Sequence, residues 1–474
     1  MIKTLTTIRL FKRPYRLGIL SLLTLVYLTY PIHAQAQKPP KNVILLIGDG
    51  MGVGAMEIAR QFEYGKAGVL HMERLDHVAL MRTYSANNHV TDSAAGGSAI
   101  ATGIKTNNES IGVDPNGTEV DSILDAFQAN GKKVGIISTN MVVDATPAAF
   151  GASVKNRWTG AAHIARQLFD HRIDVILGGG AVYFKAEKQN GVDLVSKFKE
   201  AGYAITATKQ ELASVKQPKK LLGLFHPTYM NFKLDKEEVQ SQEPTLPEMT
   251  EKALDVLSQS DNGFFLMAEG ARIDSTEHAA DYTGIWKETT EFDQTVKRAL
   301  EWAKNRKDTL IVVLADHETM GISASETMDI AALKKIKVST HYMAKQLTFD
   351  KDNKIEPKSV ISVFKNYANI SLTPEEAQQF IDHVRSNRTL VYPQHSIDWE
   401  IGSTIAKHYK AGVADRSIRA ASSTGGHTAN MIPVFAIGPG SEAFDGVLDN
   451  TDISQIIAKV ARVPFTPGQH LSKN

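Results

Sequence analysis

Short runs of uninterrupted apolar, β-branched residues recur along the chain, and each gives way to a turn or an acidic residue. "NVILLIG" ends before Asp49, "KVGIIST" runs toward Asp144, "GFFLMAEG" carries Glu269, "TLIVVLA" stops at Asp316, and "DVILGGG" and "IPVFAIGPG" end in glycine. Runs without polar alternation predict strands buried on both faces. Between them, "EVDSILDAFQANGK", "AAHIARQLFD", "LPEMTEKALDVLSQ" and "WKETTEFDQTVKRALEWAKN" read as helices. This alternation predicts an α/β fold, a three-layer α/β/α sandwich with a mostly parallel central sheet. In such sheets ligands bind beyond the carboxyl ends of the strands, so polar groups there are the first candidates for chemistry.

Two stretches interrupt the pattern. Residues 205–245 are rich in Lys, Gln and Glu with little strand character, and read as a surface excursion. Residues 322–422 include "LTPEEAQQFIDHVRSN", where Thr373 suits an N-cap, Pro374 the first helical position and Glu376 the return bond of a capping box. This predicts a partly helical insertion over the site, within one catalytic domain spanning 37–474.

The first 36 residues stand apart. Lys3, Arg9, Lys12, Arg13 and Arg16 precede "LGILSLLTLVYLTY", and "AQA" follows at 34–36, the pattern of a secretory signal peptide. The apolar run is short for a membrane span, which implies export to the periplasm or the extracellular space and no membrane partner after cleavage. Removing those five basic residues takes the formal net charge from +1 to −4, so no nucleic-acid-binding surface is indicated. The chain has no cysteine, and an exported protein without disulfides must be held by its core or by metals.

Five segments carry candidate chemistry. "GDGMGVGA" loosely matches a dinucleotide-binding turn, but the Asp49 carboxylate would repel a pyrophosphate, and a strand-end metal ligand fits better. In "AEGARIDSTEH", Glu269 ends a strand, and Asp274 and His278 share one face if the segment is helical, so that both can reach one zinc-like ion. Asp316 and His317 follow a fully apolar run, and His427 follows two glycines that permit close backbone approach. "HVTDSAAGGSAIATG" holds Ser93 with no histidine base placed for it locally. It lies in no G-x-S-x-G elbow, and His89 has no evident orienting partner.

The ordered motifs "GDGMG", "TDSAA", "DATPAAF" leading to Arg157, "EGARIDSTEH", "ADHET" and "GGHT" resemble those of the alkaline phosphatases. The resemblance implies that Asp274, His278 and His427 bind one zinc, Asp49, Asp316 and His317 a second, and Asp49, Thr146 and Glu269 a magnesium. It further implies Ser93 as nucleophile, Arg157 as a bidentate clamp on phosphate, and Asp92 and Asp144 beside that arginine at the substrate. Small phosphate monoesters are then the substrates, hydrolysed through a phosphoserine, and a homodimer the assembly. Ser275 stands where relatives carry lysine or histidine, which implies weaker retention of product phosphate. Competing readings are a phosphodiesterase or sulfatase on the same metal scaffold, and an exported metal-binding protein without turnover.

Overall fold

All six apolar runs form strands of one sheet in the computed structural model, which describes residues 38–388, 391–412 and 415–470. In chain order the strands are β1 (Asn42–Gly48), β2 (His77–Arg82), β3 (Lys133–Met141), β4 (Val175–Gly179), β5 (Ala204–Thr206), β6 (Leu221–Leu224), β7 (Phe264–Gly270), β8 (Thr309–Leu314), β9 (Glu318–Thr319), β10 (His427–Thr428), β11 (Ile432–Ile437) and β12 (Gly446–Asp449). Ten of them form the sheet in the order β12-β2-β11-β8-β1-β7-β3-β4-β6-β5, while β9 and β10 pair as a separate ribbon. Only β11 opposes its neighbours, which leaves β8, β1, β7 and β3 parallel and side by side. Their carboxyl ends lead to Asp316, Asp49, Glu269 and Asp144 in that order across the sheet.

Two adjacent phenylalanines of β7 establish the three layers. Phe264 meets Trp302 of the helix Tyr282–Ala303 at 5.6 Å, and Phe265 meets Phe127 of the helix Ile123–Ala129 at 5.2 Å. Consecutive strand residues point to opposite faces, so these helices cover opposite sides of the sheet.

The stretch 205–245 is not merely a surface excursion. β6 lies within it, fully buried between β4 and β5, and β5 ends in it. Four residues, "LLGL", after two lysines are too short a run to stand out from polar surroundings. β2 and β12 were also not expected, because only alternate residues of β2 face the core.

The described residues of 322–422 add no strand to the sheet and supply the helices Pro357–Ala368, Pro374–Ser386 and Ser396–His408. The capping box forms at Thr373, whose N–H donates to Glu376 Oε2 (2.8 Å) while Glu376 N–H donates to Thr373 Oγ (3.2 Å). The signal-peptide segment 1–36 lies outside the described residues, among which no helix is long and apolar enough to cross a membrane.

Asp281 ties this insertion to the body of the fold. One carboxylate oxygen accepts Gly284 N–H (2.9 Å) at the start of the long helix and the other accepts Thr340 N–H (3.0 Å). Burial raises its pKa, these N–H groups pull part of the way back, and Asp235 pushes it up again, to about 6. A raised carboxyl pKa means the folded chain keeps a proton that the unfolded chain releases, so stability falls as pH rises from about 4 to about 6. Relative to Asp281→Asn, the wild type should lose on the order of 3 kcal/mol across that window, read by denaturant unfolding at both ends. A constant difference between the two proteins would refute the assignment.

Candidate active site

Ser93 is the first residue of the helix Ser93–Thr102, capped by Asp92, whose Oδ1 accepts Ala95 N–H at 2.9 Å. The small residues after it allow close approach. A Cβ on Gly96 would stand 3.0 Å from the Asp316 carbonyl oxygen, and one on Gly97 3.2 Å from Thr146 Cα. The helix start is thereby pressed against the carboxyl ends of the strands, its free N–H groups adding partial positive charge.

A histidine does face the serine, and it is not the sequence-near His89. His317 Nε2 lies 3.1 Å from Ser93 Oγ, and His89 is exposed. The same nitrogen lies 3.4 Å from both Asp49 Oδ1 and Asp316 Oδ2. Its Nδ1 meets the Thr319 hydroxyl (3.2 Å), which donates to Asp274 Oδ1 (2.6 Å). Among the described residues Nδ1 meets this hydroxyl and no carboxylate, unlike the histidine of a Ser-His-Asp triad.

The second group is Asp274, His278 and His427. The helix Arg272–His278 puts Asp274 Oδ2 3.2 Å from His278 Nε2, and His427 arrives on β10 with its Nε2 3.6 Å from Asp274 Oδ1. The two imidazole Nε2 atoms face each other at 3.2 Å. His278 Nδ1 lies 2.9 Å from the Gly425 carbonyl and His427 Nδ1 3.0 Å from the Thr91 carbonyl. A carbonyl can only accept, so each ring donates from Nδ1, which turns both Nε2 atoms inward beside the Asp274 carboxylate.

Two imidazole nitrogens and a carboxylate converging on one point form a donor set suited to a cation, and the rest of the site fits several. Asp49 Oδ1 is buried without a hydrogen-bond partner among the described residues. Burial pushes the Asp49 carboxyl well up, with Asp316, Asp274, Glu269 and Asp144 adding to the effect. Burial likewise raises Asp316 to about 7 and Glu269 to about 8, and lowers His317 to about 4. Asp274 is the exception: burial would raise it, but His278, His427 and His317 hold it well below the carboxylate range. Each triad Asp49/Asp316/His317 and Asp274/His278/His427 brings its donor atoms within 4.8 Å of one another. Thr146 Oγ donates to Asp316 Oδ2 (3.3 Å), and Glu269, hydrogen-bonded by Ser138, is close enough for its charge to raise Asp49, so the third expected set borders the second.

Arg157 begins its own helix, and its side chain is nine-tenths buried between two carboxylates. One terminal nitrogen donates to Asp92 Oδ2 (3.3 Å) and the other to Asp144 Oδ1 (3.1 Å). Asp144 in turn caps the helix Ala145–Ala148 through Ala145 N–H (2.9 Å), so the guanidinium is aimed by two anchored partners. Ser275 is reached by Arg272, which donates to its hydroxyl at 3.2 Å, so a cation does stand beside this position.

Ser93, Asp49, Asp274 and Arg157 open onto a cavity of about 300 Å³ whose lining includes Tyr392, His395 and Trp399 from the insertion. Sequence reasoning missed these residues. A helical stretch near the site was foreseeable, but the aromatic ring of Trp399 stacked 5.0 Å from His278 had no local signal.

Fold and donor set together define a metal-dependent hydrolase of the three-layer α/β class. The sequence model of the family described as alkaline phosphatase matches residues 40–463. Alkaline phosphatase 4 of Bacillus subtilis is 35% identical over 450 residues, covering 90% of this chain and 91% of that one. The crystal structure of Thermus thermophilus alkaline phosphatase superposes with a TM-score of 0.79 at 26% identity, covering 91% of this chain and 94% of that one. A variant of the alkaline phosphatase of the Antarctic bacterium TAB5, described with magnesium bound, matches at 28% identity and TM-score 0.64 over 90% of this chain and 99% of that one. The chain belongs to the alkaline phosphatase family.

Proposed function

We propose that the protein is an exported phosphomonoesterase that converts phosphate monoesters to alcohol and inorganic phosphate through a phosphoserine. The observation that carries this is Ser93 Oγ set 3.1 Å from the His317 nitrogen that also faces Asp49 and Asp316, with Arg157 fixed in the same cavity. Asp49, Asp316 and His317 would hold one zinc, Asp274, His278 and His427 the other, and Asp49, Thr146 and Glu269 a magnesium. Bound there, the zinc ions supply Lewis acidity, which lowers the pKa of a coordinated hydroxyl and stabilises a departing alkoxide.

Ser93 Oγ then attacks phosphorus in line with the leaving oxygen, and water later displaces Ser93 from phosphorus. Arg157 holds two of the non-bridging oxygens with parallel N–H bonds, for which a planar guanidinium is suited. The N–H groups at the start of the Ser93 helix favour the charge that builds on the transferring group. Small exported esters fit a cavity of about 300 Å³.

Initial rates on a phosphate monoester, a phosphate diester and a sulfate ester test the reading. The monoester should be hydrolysed fastest, and a faster diester or sulfate ester would transfer the proposal to that substrate. Arg157→Ala should lower kcat/KM for the monoester about 100-fold, the loss of roughly 3 kcal/mol of charge-assisted bonding. Arg157→Lys should fall between, because a point charge restores attraction but not the paired bonds. A kcat/KM unchanged in Arg157→Ala would remove this residue from the substrate.

A further inference from the structure

Outside the residues assigned above, His341, His395 and Asp398 bring three further donor atoms together. His341 Nδ1 lies 3.4 Å and His395 Nδ1 3.1 Å from Asp398 Oδ2, and the three donors fall within 4.8 Å of one another. Zinc bonds of about 2.0–2.1 Å at tetrahedral angles place donors roughly 3.3–3.4 Å apart, so these separations are those of a zinc cage. The clusters at Asp274 and His317 show the same spacing, 3.2–3.6 Å. Two imidazoles and a carboxylate are a donor set suited to zinc with one position left for another ligand.

A carboxylate that accepts two N–H bonds is the simpler account, and the surroundings go beyond it. The donors come from separate elements of the insertion: His341 from the helix Thr340–Lys345, His395 from the 3-10 turn Pro393–His395, and Asp398 from the first turn of the helix Ser396–His408 that follows it. Each is fixed from behind. Asp235 accepts both the N–H and the hydroxyl of Ser339 at 2.6 Å, which holds the first helix. Trp399 N–H donates to Asp398 Oδ1 (3.1 Å), which turns Oδ2 toward the imidazoles. Asp398 is buried whereas each histidine side chain is about one-third exposed, and all three line the cavity that holds Ser93. The carboxylate is thus oriented and desolvated, and the open side of the cluster faces the space a substrate enters.

We propose that His341, His395 and Asp398 form a further site for a divalent transition ion, zinc by its donors, at the wall of the active-site cavity. Occupied, it joins the two insertion helices and adds positive charge to that wall, where an anionic substituent of a substrate can meet it. The site stands independently of the catalytic reading, because none of its ligands is shared with the metal sets proposed above.

Equilibrium dialysis of the full-length protein against micromolar free zinc, followed by metal analysis, tests it. The wild type should hold one equivalent more than His341→Ala, His395→Ala or Asp398→Asn, and zinc should raise its melting temperature further than that of the variants. Equal zinc content in all four proteins would overturn the site and leave the catalytic sets untouched. Loss of all zinc in both histidine variants would also overturn it, since the cluster would then support the other sites instead of binding its own ion. Loss of one equivalent in a protein that hydrolyses no monoester would keep this site and reject the catalytic reading.

Discussion

Chelation of the purified protein is expected to lower monoester hydrolysis by at least about three orders of magnitude, since Lewis-acid assistance contributes several kcal/mol and each 1.36 kcal/mol is tenfold. The expectation rests on donor atoms that converge as a cation would gather them. His278 and His427 bring their Nε2 atoms to 3.2 Å beside Asp274, and Asp49 Oδ1 is buried without a hydrogen-bond partner among the described residues. Among the described residues only His317 approaches the Ser93 hydroxyl, and it does so through the nitrogen that also faces Asp49 and Asp316, the one a cation held by that set would occupy. Zinc with magnesium should restore the rate, and magnesium alone should not. Metal content must be measured in the same samples, with far-UV circular dichroism to separate loss of ions from unfolding. Full activity in a verified metal-free sample would end the mechanism.

The parts of this site that were legible in sequence are those written locally. An apolar run that stops at an acidic residue announces a buried strand and a polar group at its carboxyl end, and Asp49, Glu269 and Asp316 stand at strand ends as that pattern requires. Asp274 and His278 were legible because helical spacing is local, and the helix Arg272–His278 forms as that spacing requires. What was not legible is adjacency across the sheet. The order β8-β1-β7-β3 joins segments far apart in the chain, and the approach of His317 to Ser93 spans 224 residues. No periodicity marks such a meeting. β6 was hidden for the opposite reason: its four buried residues were outweighed by the charged residues around them. His395 and Asp398 stand three residues apart, but His341 joins them only through packing between insertion segments, so the three together left no pattern.

Ser93→Ala should lower kcat/KM for a phosphate monoester by on the order of 10³ to 10⁶, the range seen when a hydrolase loses its nucleophile but keeps its charge-stabilising groups. Residual turnover is expected, because Arg157, its partners and both proposed ligand sets would remain to assist direct attack by water. The substitution is well suited to separating chemistry from structure. The hydroxyl contacts only His317 Nε2 among the described residues, and the helix is capped by Asp92 and not by Ser93. Alanine also favours the helix that begins here. The melting temperature should therefore stay close to that of the wild type, and zinc content should be unchanged. Acid quenching during turnover of a labelled monoester should trap phosphate covalently on the wild type and none on the variant. Trapped label at another residue, or a rate that survives the substitution, would show that Ser93 is not the group that takes the phosphoryl.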